Sequence, residues 1–319
     1  MRKNTNVEHI EGRVYQHTLT LKTVQNTASA NYGKEYIQGA VEVAVDDAGM
    51  NIIPVNFVFV TETTKNGGKN KTYAELLKVM NGKTWIADGP EAATMVSIDT
   101  SLGLNDFVAS DGTMVSQMVN QGGFLTVVSK LQDENLRNTF KTDIVINNIT
   151  RVEADPEKNI PEDYVKVRGA VFNFRNDLLP VEFAVRNPGG MNYFEGVEIS
   201  PSEPLYTCVW GRINFQTVST AVTEESAFGE AAVTTRDRKV KEWTITGATR
   251  VPHDFGDETV MTAEELTKAM QDRQVLLADI KKQREEYQAS KAAAAPTAFS
   301  APAAGAAANA AVKAGGFSF

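Results

Sequence analysis

Along residues 164–185 the apolar and polar positions alternate as on two strands joined by a tight polar turn at Arg175, Asn176 and Asp177. In the first of them Val165, Val167, Gly169 and Val171 share a face, while Lys166, Arg168, Phe172 and Phe174 share the other. Two cations followed by two rings stand where a solvent face would carry Thr, Ser or Glu. Similar patterning predicts strands at 10–26, 36–45, 52–60, 95–98, 102–108, 205–218 and 239–251. Over 205–218 one face takes Val209, Gly211, Ile213 and Phe215, and the opposite one Tyr206, Cys208, Trp210 and Arg212. Residues 109–142 show no settled period and read as mixed structure. Leu76, Leu77 and Met80 give 72–80 a helical stripe. Thr262-Ala263-Glu264-Glu265 is a capping box, and the helix it opens is expected to run to about 291, with Leu266, Met270, Leu277, Ile280 and Tyr287 in an approximate a/d pattern.

Several short words occur twice in nearly the same order. Gly39-Ala40-Val41 returns as Gly169-Ala170-Val171, and Pro54-Val55-Asn56-Phe57 as Pro180-Val181-Glu182-Phe183. Trp85 before Gly89 has a counterpart in Phe194 before Gly196, and Thr150-Arg151-Val152 in Thr249-Arg250-Val251. The spacing predicts two related β-modules, at 1–142 and 143–256, then a helix at 257–291 and an Ala-rich tail at 292–319. That tail cannot bury a core and is expected to be disordered.

A chain of 319 residues has room for two cores. Its net charge of −8 argues against a protein that coats duplex DNA, but leaves room for a local basic groove on an acidic body. No apolar run is long enough to span a bilayer, and residues 1–6 lack the apolar stretch of a signal peptide. A single cysteine, Cys208, fits a reducing compartment, so a cytoplasmic location is expected. His9, His17 and His253 lack ligand-like spacing, Cys208 sits mid-strand, and the carboxylates fall mainly in loops and helix starts. No enzyme, metal site or cofactor is expected. The basic stretch 65–71 misses the phosphate-loop pattern, because Asn70 stands where Gly must precede Lys71-Thr72. It reads either as a loop that closes over nucleic acid or as a solvated hairpin. A long loop over 223–239 carries Arg236, Arg238 and Lys239 and is expected to cover a ligand.

Cations beside flat rings on an open sheet suit a single-stranded nucleic acid, whose phosphates need charge and whose unpaired bases need a stacking surface. The alternative is a second core face, covered by the C-terminal helix or by the other module. Five-strand modules with a short helix after the third strand and aromatics on strands two to four, an acidic body and a low-complexity tail together resemble the OB-fold single-stranded DNA-binding proteins of bacteriophages. The resemblance implies a mainly β fold of two tandem OB-like β-barrel modules. It also implies coating of transient single-stranded DNA in replication or recombination, without sequence preference, in the cytoplasm of a bacterial host. Lys34, Lys69, Lys71, Lys166, Arg168, Arg186 and Arg212 would then contact phosphates, and Tyr36, Trp85, Phe172, Phe174 and Trp210 would stack bases. Phe317 and Phe319 would dock onto a replication or recombination protein, although the bacterial relatives carry acid at that tip and residues 315–319 do not. No membrane partner is expected, and a homo-oligomer is compatible with this plan. The rival reading is a structural or assembly protein, such as a phage virion component, whose aromatic faces are subunit interfaces.

Overall fold

The repeated words mark a repeated strand order. The computed structural model describes residues 4–64, 66–155, 160–199, 204–224, 228, 232–256 and 261–294. In the first half β1 (Asn6–His17), β2 (Thr20–Thr23), β3 (Glu35–Ala44) and β4 (Ile52–Thr61) precede helix α1 (Lys71–Met80), a single helical turn α2 (Trp85–Asp88), β5 (Met95–Val108) and β6 (Met114–Val127). In the second half β7 (Asn138–Val152), β8 (Tyr164–Phe172) and β9 (Leu178–Val185) precede helix α3 (Pro188–Glu195), β10 (Leu205–Glu224) and β11 (Ala232–Ala248). Helix α4 (Ala263–Ala294) follows.

The pairings close two rings. In the first, β1 pairs with β3, β3 with β4, β4 with β6 in parallel, β6 with β5, and β5 with β1 again. In the second, β7, β8, β9, β11 and β10 pair in the same sequence, again with one parallel contact, β9 to β11. Each ring thus takes its five strands in the order 1-2-3-5-4-1, with a helix between the third and fourth. That is the Greek-key barrel of the OB fold. The protein is mainly β, two such barrels in tandem, with a long C-terminal helix. The Gly-Ala-Val repeat has a steric cause. A Cβ at Gly39 would run into the Thr18 carbonyl, and one at Gly169 into the Val145 carbonyl, so each second strand crosses its neighbour closely only without a side chain.

Each ring is filled by one face of its strands and plugged by its helix. Tyr73, Leu76 and Val79 of α1 and Met191 and Phe194 of α3 are buried. Asn70 caps α1 by accepting from the Thr72 amide, and Asn187 caps α3 by accepting from the Gly190 amide, with Pro188 in the first turn. The barrels meet where β1 and β7 run antiparallel, from Asn6 opposite Thr142 to Ile10 opposite Asn138. One sheet, β10-β7-β1-β5-β6, is therefore continuous across both barrels. Side chains pin the seam. Asn51, buried in the β3–β4 turn, donates to the Ile213 carbonyl (3.1 Å) and accepts from the Phe215 amide (2.8 Å). Glu8, wholly buried, accepts from the Trp243 indole N–H (2.8 Å).

Several expected boundaries move. The strand expected over 10–26 is two, β1 and β2. The undefined region 109–142 contains the turn and the second strand, β6, of a long β5–β6 hairpin and the start of β7, so the module boundary expected at 143 falls inside a strand. The loop expected over 223–239 is largely strand, since β10 runs to Glu224 and β11 starts at Ala232. The capping box is present: the Thr262 amide donates to Glu265 Oε2 (2.8 Å), and Thr262 Oγ1 accepts from the Glu265 amide (3.2 Å). The a/d stripe is covered only in part: Leu266, Leu277 and Ile280 are half-buried. Ala269 and Arg273 are its most buried positions, while Met270 and Tyr287 are exposed.

Candidate nucleic-acid interface

In an OB barrel the open ligand face is that of strands two and three, here β3 and β4. Outward from them stand Tyr36 and Phe59, ring centroids 4.5 Å apart at 36°. Tyr36 lies opposite Lys22 of β2 on one side and Thr61 of β4 on the other. Lys34 is exposed in the turn just before β3, its Nζ donating to Asn31 Oδ1 (3.1 Å). After β4 a small hairpin is pinned by a bridge between Thr63 and Lys69 and by Asn70 Nδ2 donating to the Thr61 carbonyl (2.9 Å). That returns the chain to Tyr36, so Lys69 and Lys71, both exposed, come to the same end of the sheet. Glu35 and Glu62 are the acids of this end; burial, with their charges, pushes the Tyr73 phenol above its ordinary value. Lys22, Lys34, Lys69 and Lys71 outnumber them. Of the expected site, the structure brings Lys34, Tyr36, Lys69 and Lys71 together.

The matching face of the second barrel is different. Lys166 Nζ and Arg168 Nε lie 2.8 and 2.9 Å from the two oxygens of Glu182. Burial works to raise that carboxyl, but the two hydrogen bonds outweigh it and hold it below its ordinary value. Arg186 donates to both oxygens of Glu242 (2.8 and 2.7 Å), reaches Glu162 at 3.3 Å and stands 4.8 Å over the Tyr164 ring. None of these three cations is free. The β5–β6 hairpin also leans onto this face, where Met118 Sδ accepts from the Glu182 amide (3.4 Å).

Phe172 is a correction. It is wholly buried with Val145, Leu178, Tyr206, Met261 and Ala269, partly beneath α4, so it stacks no base. The covered-face alternative holds for this end of β8. Phe174 lies beyond the strand and is 79% exposed, with the Arg175 guanidinium 5.0 Å from its ring. Trp210 is 40% exposed on β10, and Arg212 donates to Asn138 Oδ1 (3.0 Å). Trp85 is another correction. Half-buried, it packs near Tyr15 (6.2 Å) and against Gly49 in the β3–β4 turn, the opposite end of that hairpin from Tyr36. Phe317, Phe319 and the tail after Ala294 lie outside the described residues, as do the side chains of Arg236, Arg238 and Lys239; residues 292–294, expected in the tail, continue α4.

Two rings escaped the sequence reading. Alternation places Phe59 inward with Ile53, Val55 and Phe57, yet it is exposed, because a β-bulge between Phe57 and Val60 reverses the alternation and Val60 packs on the core in its place. Phe124, 76% exposed, belongs to the region without a period; the Gly122-Gly123 pair before it, both at positive φ, was its available signal. Among the described residues no three His, Cys, Asp or Glu side chains gather as metal ligands would, and no helix is long and apolar enough to cross a membrane.

Strand order and helix placement define a protein of two OB-type barrels with an aromatic and lysine-rich strand face. The chain belongs to the YorF family, whose pattern it matches over residues 5–283. No curated protein matches the sequence. Among solved structures, a deletion mutant of the single-stranded DNA binding protein from Thermus aquaticus is similar at a TM-score of 0.45 and 13% identity, covering 81% of this chain and 98% of that one.

Proposed function

We propose that the protein binds single-stranded DNA without sequence preference and coats it while it is transiently exposed in replication or recombination. The observation that carries this reading is the Tyr36–Phe59 pair on the open β3–β4 face, with four lysines around it. Rings at that spacing offer bases a stacking surface that reads no base edge, and the lysines supply the charge a phosphate backbone requires. A duplex hides the faces of its bases, so it is a poor ligand for such a platform. The acidic body does not oppose this, because screening confines most surface charge effects to about 10 Å at ordinary salt.

Anisotropy titration of a labelled oligo-dT tests it. Tyr36→Ala and Phe59→Ala should each weaken binding by about 1–3 kcal/mol, with equal-length duplex binding far less well. Replacing Lys34, Lys69 and Lys71 by Glu should flatten the dependence of log affinity on log salt. If the wild-type protein binds no oligonucleotide at low salt, the reading fails, and the aromatic faces are better taken as subunit contacts.

A further inference from the structure

The strand register at the seam builds a second surface. Residues directly opposite one another in a sheet put their side chains on the same side, and the side alternates along each strand. Trp210 of β10 stands opposite Lys141 of β7, and Lys141 opposite Val7 of β1. Two residues along, a parallel row runs from Arg212 through Thr139 and His9 to Asp99 of β5 and then Phe124 of β6. Between the rows, Glu8, Phe140 and Thr100 point to the other side and are buried. The outward side chains therefore form one strip across five strands and both barrels. It floors a shallow depression of about 740 Å³.

The strip has the chemistry of a nucleic-acid track. Trp210, Val7 and Phe124 are 40, 54 and 76% exposed, so apolar surface recurs along it. Lys141 has no acidic partner among the described residues, and Arg212 is held only by the neutral Asn138. The one acid of the two rows, Asp99, shares a hydrogen bond with His9 Nδ1 (2.8 Å). Strands about 4.8 Å apart make the strip roughly 19 Å long, too long for one base and enough for a few.

We propose that this strip is a second contact surface for single-stranded nucleic acid, with Trp210 and Phe124 stacking bases and Lys141 and Arg212 meeting phosphates. It rests on the function proposed above and adds that one bound strand crosses from barrel to barrel over the seam, away from the β3–β4 face.

The test compares the wild-type chain with three variants: Trp210→Ala/Phe124→Ala, Trp210→Phe and Lys141→Glu. Each is titrated with oligo-dT from about 6 to about 30 nucleotides. Circular dichroism and sedimentation are recorded alongside. The double variant should lose about tenfold or more in affinity for the longest oligonucleotide, and its affinity should stop rising at a shorter length. Trp210→Phe, which keeps a ring, should retain most of the affinity. Lys141→Glu should weaken binding and lower the salt slope by about one contact. Should the wild type bind nothing, the proposed function falls and the strip with it. Binding by the wild type with unchanged affinity and length dependence in the double variant overturns the strip alone. So does a double variant that only shifts the protein from dimer to monomer, because the strip would then join two copies of the chain.

Discussion

Glu8 shows what the seam costs at the scale of one residue. Its Oε1 accepts the Trp243 hydrogen bond, but its Oε2 has no partner among the described residues. Burial pushes the carboxyl up to about 8, against the smaller opposing pull of that hydrogen bond. The folded protein therefore carries Glu8 protonated at neutral pH, whereas the unfolded chain carries it ionised. A folded pKa above the unfolded one gives stability that is complete below pH ~4.3 and declines as pH rises toward about 8. The loss is about 1.4 kcal/mol per pH unit within that window. Glu8→Gln keeps an acceptor for Trp243 and has no proton to lose. Urea denaturation should find it more stable than wild type by a few kcal/mol near pH 8 and nearly equal near pH 4.5. A difference that does not change with pH would contradict this account. Phe172 and Phe59 mark the limit of legibility at this scale. Alternation assigns each strand two faces, but it does not say that α4 covers one end of β8 or that a bulge in β4 exchanges its faces after Phe57.

At the scale of elements, α4 was legible at its start and in the side it turns inward, but not in what holds that side down. The capping box is local chemistry and can be read locally. The buried Arg273 cannot, because its reason is remote: it forms a bidentate pair with Asp106 of β5, 2.6 Å on both arms, and also donates to Ser116 at 3.0 Å. Burial works to raise the Asp106 carboxyl, but the hydrogen bonds from Arg273 and Ser116 overcome it and hold it low. Arg273→Ala leaves that carboxylate unpaired and should cost about 3–5 kcal/mol, with faster amide exchange through α4. Arg273→Met combined with Asp106→Leu should recover most of the loss, since an apolar pair leaves no charge stranded. Exchange in α4 that is unchanged in Arg273→Ala would show the helix to be held by its apolar contacts alone. The strands of the two open faces read well because one side of each is packed. The β6 strand did not, because much of it stands out as a hairpin with both sides half wet.

At the scale of the molecule the repeat was legible and the seam was not. Gly-Ala-Val and the prolines that follow recur because both rings need the same close crossing and the same strand start. Nothing in a single strand's pattern says that the edge of β1 left free by its own ring pairs with β7. Asn51 tests how rigid that join is. It reaches β10 from the first barrel through two hydrogen bonds, and Asn51→Ala strands the Phe215 amide, while the Ile213 carbonyl keeps its bond from Asn138 Nδ2 (2.9 Å). The expected cost is about 1–3 kcal/mol, with loss of exchange protection at the Phe215 amide. Unaltered protection there would mean that the β1–β7 ladder holds the barrels by itself.

The antiparallel meeting of β1 with β7 has one more consequence. These are the first strands of two rings with the same order, so the barrels are related approximately as two-fold mates. A nucleic-acid strand is a vector, running from 5′ to 3′, and a dyad reverses every vector. A strand laid straight across the seam heads forward over one barrel and backward over the other. The backbone geometry therefore offers both headings equally. Only the side chains that differ between the mates can choose one, the uncommitted lysines around Tyr36 against the Glu182-bound pair at Lys166 and Arg168.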